Sequence, residues 1–82
     1  MISYSDKLTK GTWVQISNDE PYIMQNKTKD GSIVLVKASA AEPTTTNATH
    51  ELGGGEVMAS TILSGVIWAT ALNGDCLVTY SK

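Results

Sequence analysis

The sequence predicts an all-β protein: a small antiparallel β-sandwich or barrel of about six or seven short strands, with residues 1–82 forming one domain. Three observations point there. Short runs of β-branched, aliphatic and aromatic residues recur, as in Ile33-Val-Leu-Val36 and Val66-Ile-Trp68. Turn residues punctuate them, among them Asn18-Asp-Glu-Pro21, Asp30-Gly31 and Asn73-Gly74. Heptads and internal repeats are absent, and the one segment with some helical spacing, Glu56 to Leu63, ends in the β-like Thr61-Ile-Leu63.

Met1 to Gly11 reads as an N-terminal arm or a first short strand, with Ile2 and Tyr4 alternating with Ser3 and Ser5. Thr12 to Ser17 is a strand, followed by a turn in which Pro21 forces Glu20 to be extended. Tyr22 to Asn26 is the next strand, and Asp30-Gly31 carries a hairpin signal. Ser32 to Ala38 is apolar enough to be central. Ala40 to Ala48 is a polar loop without period; a loop of that length in a small domain is expected to be functional or held by a neighbour. Thr49 to Leu52 is a short strand, Gly53-Gly-Gly55 a bend, and Glu56 to Leu63 a further strand.

The chain closes on Val66 to Leu72 and Cys76 to Tyr80, flanking Asn73-Gly74-Asp75. Asn-Gly predicts a tight hairpin with positive φ at Gly74. Neither run has a clean polar face, so both sides are expected to be covered, by a second sheet or by another subunit. Trp68 is expected in the core with Ile33, Leu35, Val66 and Val78, or with their alternate-face neighbours Val34, Val36 and Leu77.

A domain of this size is marginal alone. One Cys and one His exclude an internal disulfide and argue against a structural zinc site, so oligomerisation is the expected remedy. The formal charge is −2, with six Lys and no Arg, a poor basis for binding nucleic acid. No apolar run approaches the ~20 residues needed to span a bilayer. The start lacks the features of a signal peptide, which predicts folding in a cytoplasm.

Chemistry is sparse. His50 has Glu51 beside it but no nucleophile constellation, and Cys76 follows Asp75, which favours an inert thiol. Asp19, Glu20 and Asp30 lack the spacing of a calcium loop, and Gly53-Gly-Gly-Glu56 lacks the Lys-Ser/Thr of a phosphate loop. No catalytic, metal or cofactor site is expected. Trp13 and Tyr22, near the acidic turn, are the aromatic interface candidates, while Trp68 reads as core.

Tyr22-Ile-Met-Gln-Asn26, Ala41-Glu-Pro43, Leu52-Gly-Gly-Gly-Glu56, Val66-Ile-Trp-Ala69 and Asn73-Gly74 before a final apolar strand follow one another in an order that resembles small virion proteins of tailed bacteriophages. These include head decoration (cement) and head-fibre-base proteins, and the likeness covers roughly residues 13 to 80. The resemblance implies a non-enzymatic capsid decoration protein that binds and stabilises the outer head surface, located in the virion and made in the host cytoplasm. Its implied partners are the major capsid protein and further copies of itself, with a trimer favoured, and neither nucleic acid nor membrane. The expected interface comprises Ile2, Tyr4, Trp13, Tyr22, Pro43, Thr44, Thr45 and Thr46. The competing expectation is a tail or fibre accessory module that binds host glycans on a Trp13–Tyr22 platform.

Overall fold

The described residues form eight strands, built on short β-branched, aliphatic and aromatic runs: β1 (Ser3–Leu8), β2 (Val14–Asn18), β3 (Ile23–Asn26), β4 (Val34–Ala38), β5 (His50–Leu52), β6 (Val57–Ala59), β7 (Val66–Ala71) and β8 (Cys76–Ser81). The computed structural model describes residues 2–82. The first sheet has the order β1-β8-β3-β6 and the second β2-β7-β4-β5, with every neighbouring pair antiparallel. The two sheets form a small β-sandwich. The described residues contain no helix long and apolar enough to cross a membrane.

The strand beyond the expected six or seven is β1: Ser3–Leu8 pairs along its whole length with β8, so of the two expected readings, an arm or a first short strand, this part takes the strand. The segment from Glu56 to Leu63 contains only the three-residue β6. It then closes a single turn in which Ile62 and Leu63 N–H groups donate to the Ala59 carbonyl at 2.9 and 3.1 Å.

The connections differ most from expectation. β7 and β8 lie in opposite sheets, so Asn73-Gly74 joins layers and does not close a hairpin. The same is true of the Asp30-Gly31 turn between β3 and β4. Among the described residues only β4 and β5 are consecutive strands paired in one sheet, and the long loop between them carries the Thr-rich segment. Gly74 is not among the residues with positive φ. Its constraint is space: a Cβ there would sit 3.1 Å from Ser32 Oγ. Asn73 serves the turn through its side chain, whose Oδ1 accepts the Ile33 N–H at 3.1 Å.

The core fills the space between the sheets. Leu8, Met24, Met58, Cys76, Val78 and Tyr80 come from the first sheet, and Ile16, Val34, Val36, Leu52, Ile67, Ala69 and Ala71 from the second. On β7 it is therefore Ile67, Ala69 and Ala71 that point inward, and Trp68 is on the opposite face, half-buried, with its Nε1–H donating to the Ser39 carbonyl at 2.9 Å. Of its expected companions, Val34, Val36 and Val78 are core, Ile33 and Val66 are half-buried, and Leu77 is exposed. A bulge between Gln15 and Ser17 buries two successive residues of β2. Ile16 enters the core, while Ser17 Oγ donates to the Glu20 carbonyl at 2.8 Å and fixes the following turn.

Candidate functional site: the outer face and free edge of the first sheet

The two outer faces of the sandwich are unequal. On the second sheet, Leu35 and Thr70 are cross-strand partners on the face turned away from the core, yet Leu35 is only 3% exposed and Thr70 is equally buried. The chain itself covers the middle of this face, while Gln15 and Glu51 toward its margins are exposed. The turn from Thr9 to Thr12 folds over Thr70, whose hydroxyl lies 2.7 Å from the Thr12 carbonyl and 3.2 Å from that of Thr9. The β4–β5 loop comes back over Lys37 and Trp68: Lys37 Nζ approaches the Thr45 hydroxyl at 3.4 Å, and Ser39 accepts the indole N–H. Pro43 is buried within that loop.

The outer face of the first sheet has no such cover. Register places Ser3, Ser5 and Lys7 of β1, Leu77, Thr79 and Ser81 of β8, Ile23 and Gln25 of β3, and Val57 and Ala59 of β6 on it, and none of them is buried. Ile23 is 46%, Leu77 47% and Val57 49% exposed. A shallow groove of about 230 Å³ lies there, with Ser3, Ile23, Gln25, Val57 and Thr79 in its wall. A more open hollow of about 540 Å³ lies at one end of the sandwich, between the backbone from Gln25 to Lys29 and Gly54-Gly55.

This sheet also has a free edge. Ile2 and Lys82 exchange both backbone hydrogen bonds, at 2.9 and 3.0 Å. Antiparallel alternation then gives Tyr4, Asp6 and Leu8 the bonds to β8 and turns the N–H and C=O groups of Ser3, Ser5 and Lys7 outward. The inner side chains of β1 tie it to β8. The Tyr4 and Tyr80 rings stack with centroids 5.2 Å apart, Lys82 Nζ lies 5.4 Å from the Tyr4 centroid, and the Tyr80 hydroxyl donates to Asp6 Oδ2 at 2.6 Å. On the outer side Lys7 Nζ pairs with Asp75 at 3.2 Å.

Burial, together with the Asp6 carboxylate, pushes the Tyr80 phenol well above the ordinary tyrosine value of 10.0, and burial raises Tyr22 as well. The folded chain thus holds both phenolic protons more tightly than the unfolded chain. The resulting stabilisation is complete below pH 10 and is lost as the pH climbs through the folded values. The thermal midpoint is expected to hold near ~pH 8 and fall steeply above ~pH 10. Tyr80→Phe should flatten that fall; an unchanged pH profile in this variant would remove Tyr80 as its source.

The other titratable candidates lie apart from this surface. Burial raises the Cys76 thiol, with Asp30 and Asp75 adding to the effect, and the side chain is in the core. The Asp30 carboxylate is held low first by the Ser32 side chain and then by the Ser32 N–H, which donates to it at 3.0 Å. His50 is exposed on the edge strand β5. Among the described residues no three His, Cys, Asp or Glu side chains gather as a metal site.

The expected interface residues divide. Ile2 and Tyr4 are exposed beside the free edge, and Thr44, Thr45 and Thr46 are exposed on the β4–β5 loop of the other sheet, so they form no single patch. Trp13 is half-buried. Tyr22 is a core residue, 3% exposed, with its hydroxyl donating to the Leu63 carbonyl at 2.6 Å, and Pro43 is buried. The Trp13–Tyr22 stacking platform is therefore not formed. Ile23, Val57, Leu77, Ser5 and Lys7 were absent from the expectation. The signal for them was alternation: Ser3, Ser5 and Lys7 share one face of a strand, as do Leu77 and Thr79. Comparison of the chain with protein-family models, with curated proteins and with solved structures returns no match.

Proposed function

We propose that the chain is a non-enzymatic structural protein that docks a larger protein shell through the outer face of its first sheet. The shell named by the sequence resemblance is the outer head surface of a tailed phage, where the chain would act as a decoration protein in the virion. The observation that carries the reading is the inequality of the two faces. One is covered at its middle by the chain's own turn and loop, and the other leaves Ile23 and Val57 in water at a groove, with Leu77 exposed on the same face. Exposed apolar groups collected on one face mark a surface for a partner. Bridging neighbouring shell subunits would bury these side chains and raise the free energy needed to separate the subunits. Assembly would also add stability to a domain with little core of its own.

The test uses particles of the phage that encodes the chain. Wild-type protein is expected at a fixed copy number per purified particle. The double variant Ile23→Asp, Val57→Asp is expected to drop out of the particles. Because both positions are exposed, its folding stability should stay within about 1 kcal/mol of wild type. Intact particles without the wild-type chain, or full incorporation of the double variant, would contradict the reading.

A further inference from the structure

Sheet edges invite pairing with other chains, and natural proteins blunt them by shortening, by bulges, by Pro or by charge. Three of the four edges here are blunted. β5 and β6 are three residues long, and β2 carries the Gln15/Ser17 bulge. β1 is different: six residues in unbroken register, without Pro or bulge, and with the backbone groups of Ser3, Ser5 and Lys7 facing outward. Its one charged outer side chain, Lys7, leans back to Asp75.

We infer that the free edge of β1 pairs antiparallel with β1 of a second copy across a twofold axis. The register places Ser5 opposite Ser5 and Ser3 opposite Lys7. The sequence of β1 selects this arrangement. Outward backbone groups occur at Ser3, Ser5 and Lys7, so only registers that set these residues against one another make hydrogen bonds. With Ser5 on the axis, three facing pairs each exchange two bonds, and Tyr4 falls opposite Asp6. Shifting one way sets Asp6 against Asp6, and a further step sets Lys7 against Lys7, each a like-charge clash that destabilises a pair. Shifting the other way sets Tyr4 against Tyr4 and leaves only Ser3 and Ser5 of each copy to pair. The Ser5-centred register is thus the one with the most bonds and no like charges opposed. It joins the two first sheets into one eight-stranded sheet, whose exposed faces run on into one another. The inference rests on the reading of the first sheet as the interacting layer, but its test needs no particle.

In this register the two Ser5 Cα atoms stand about 5.5 Å apart, within disulfide range. The two Ser3 Cα atoms are offset by four residues along the strands, about 13 Å, which is out of range. Cys76 is buried and does not compete. Under mild oxidation Ser5→Cys is expected to form a covalent dimer with the thermal midpoint retained or raised, and Ser3→Cys is expected to remain uncrosslinked. Light scattering on the wild-type chain should give twice the mass of one chain at micromolar concentration. Ser5→Pro removes only an outward N–H, so it should give a folded monomer. A wild-type monomer at every concentration, a trimer, or equal crosslinking of the two Cys variants would each overturn the pairing. A dimer that is absent from phage particles would sink the decoration role and leave the pairing standing; a monomer bound to particles would do the reverse.

Discussion

Asn26→Ala is expected to cost about 3–5 kcal/mol of folding stability. A domain of this length has roughly 4–12 kcal/mol in all. Asn26 has no exposed surface, and its side chain joins parts of both sheets. Nδ2 donates to the Ser32 carbonyl at 3.1 Å, in the turn entering β4, and to the Leu52 carbonyl at 2.9 Å, in β5. Oδ1 accepts the Thr28 N–H at 2.9 Å. Alanine would leave two carbonyls and an N–H without partners, at a site too enclosed for water to replace them easily. Asn26→Asp separates the contributions. It keeps the acceptor for Thr28 but sets carboxylate oxygen against two carbonyl oxygens, so the folded state should favour the protonated acid. The variant's stability should then be highest at low pH and fall as pH rises, the opposite of a salt-bridged carboxylate. Urea unfolding at several pH values reads both effects. An Asn26→Ala midpoint close to wild type would show that the side chain does not clamp the sheets.

Ile67→Ala is expected to lose about 2–5 kcal/mol, as large-to-small changes in a closed core do. Ile67 has no exposed surface, lies on β7 between β2 and β4, and pairs with Ser17 and Ala38. Its small same-face neighbours Ala69 and Ala71 cannot extend into the space it would vacate. The adjacent Trp68→Phe should cost only about 1 kcal/mol, because it removes one indole hydrogen bond and retains most of the packing on the outer face. Urea midpoints at unchanged m-value rank the two. A larger loss for Trp68→Phe than for Ile67→Ala would mean that the outer face of the second sheet, and not the sandwich interior, carries the stability.

That ranking also marks what could be read from the chain. The strands were legible because they depend on local composition: Ile33-Val-Leu-Val36 and Cys76-Leu-Val-Thr-Tyr80 fall on β4 and β8 within a few residues. Their pairing was not legible. Asn73-Gly74 and Asp30-Gly31 reverse the chain as expected, but a reversal between layers uses the same residue types as a hairpin within one. The face of β7 was ambiguous because both of its faces are apolar. The cover supplied by the Thr9–Thr12 turn explains why Thr70, opposite buried Leu35, is itself buried away from the core. Buried Asn26 was hidden for a related reason: a polar residue in a strand reads as outward until its partners from distant segments are known. For the site, Ile2 and Tyr4 pointed to the N-terminal edge, whereas Tyr22 and Pro43 pointed inward. Aromatic or turn character alone does not distinguish a contact surface from a core.

The central claim is that interaction belongs to the first sheet's open face, the middle of the second sheet's outer face being covered by the chain itself. Side-chain oxidative footprinting, on the free protein and on the protein bound to phage heads, tests it most directly. The account predicts rapid labelling of Ile23, Val57 and Leu77 in the free chain, little labelling of Leu35, and protection of the first three on binding. Free labelling of Leu35, or protection confined to Trp68 and Thr44 to Thr46 while Ile23 and Val57 stay reactive, would contradict it.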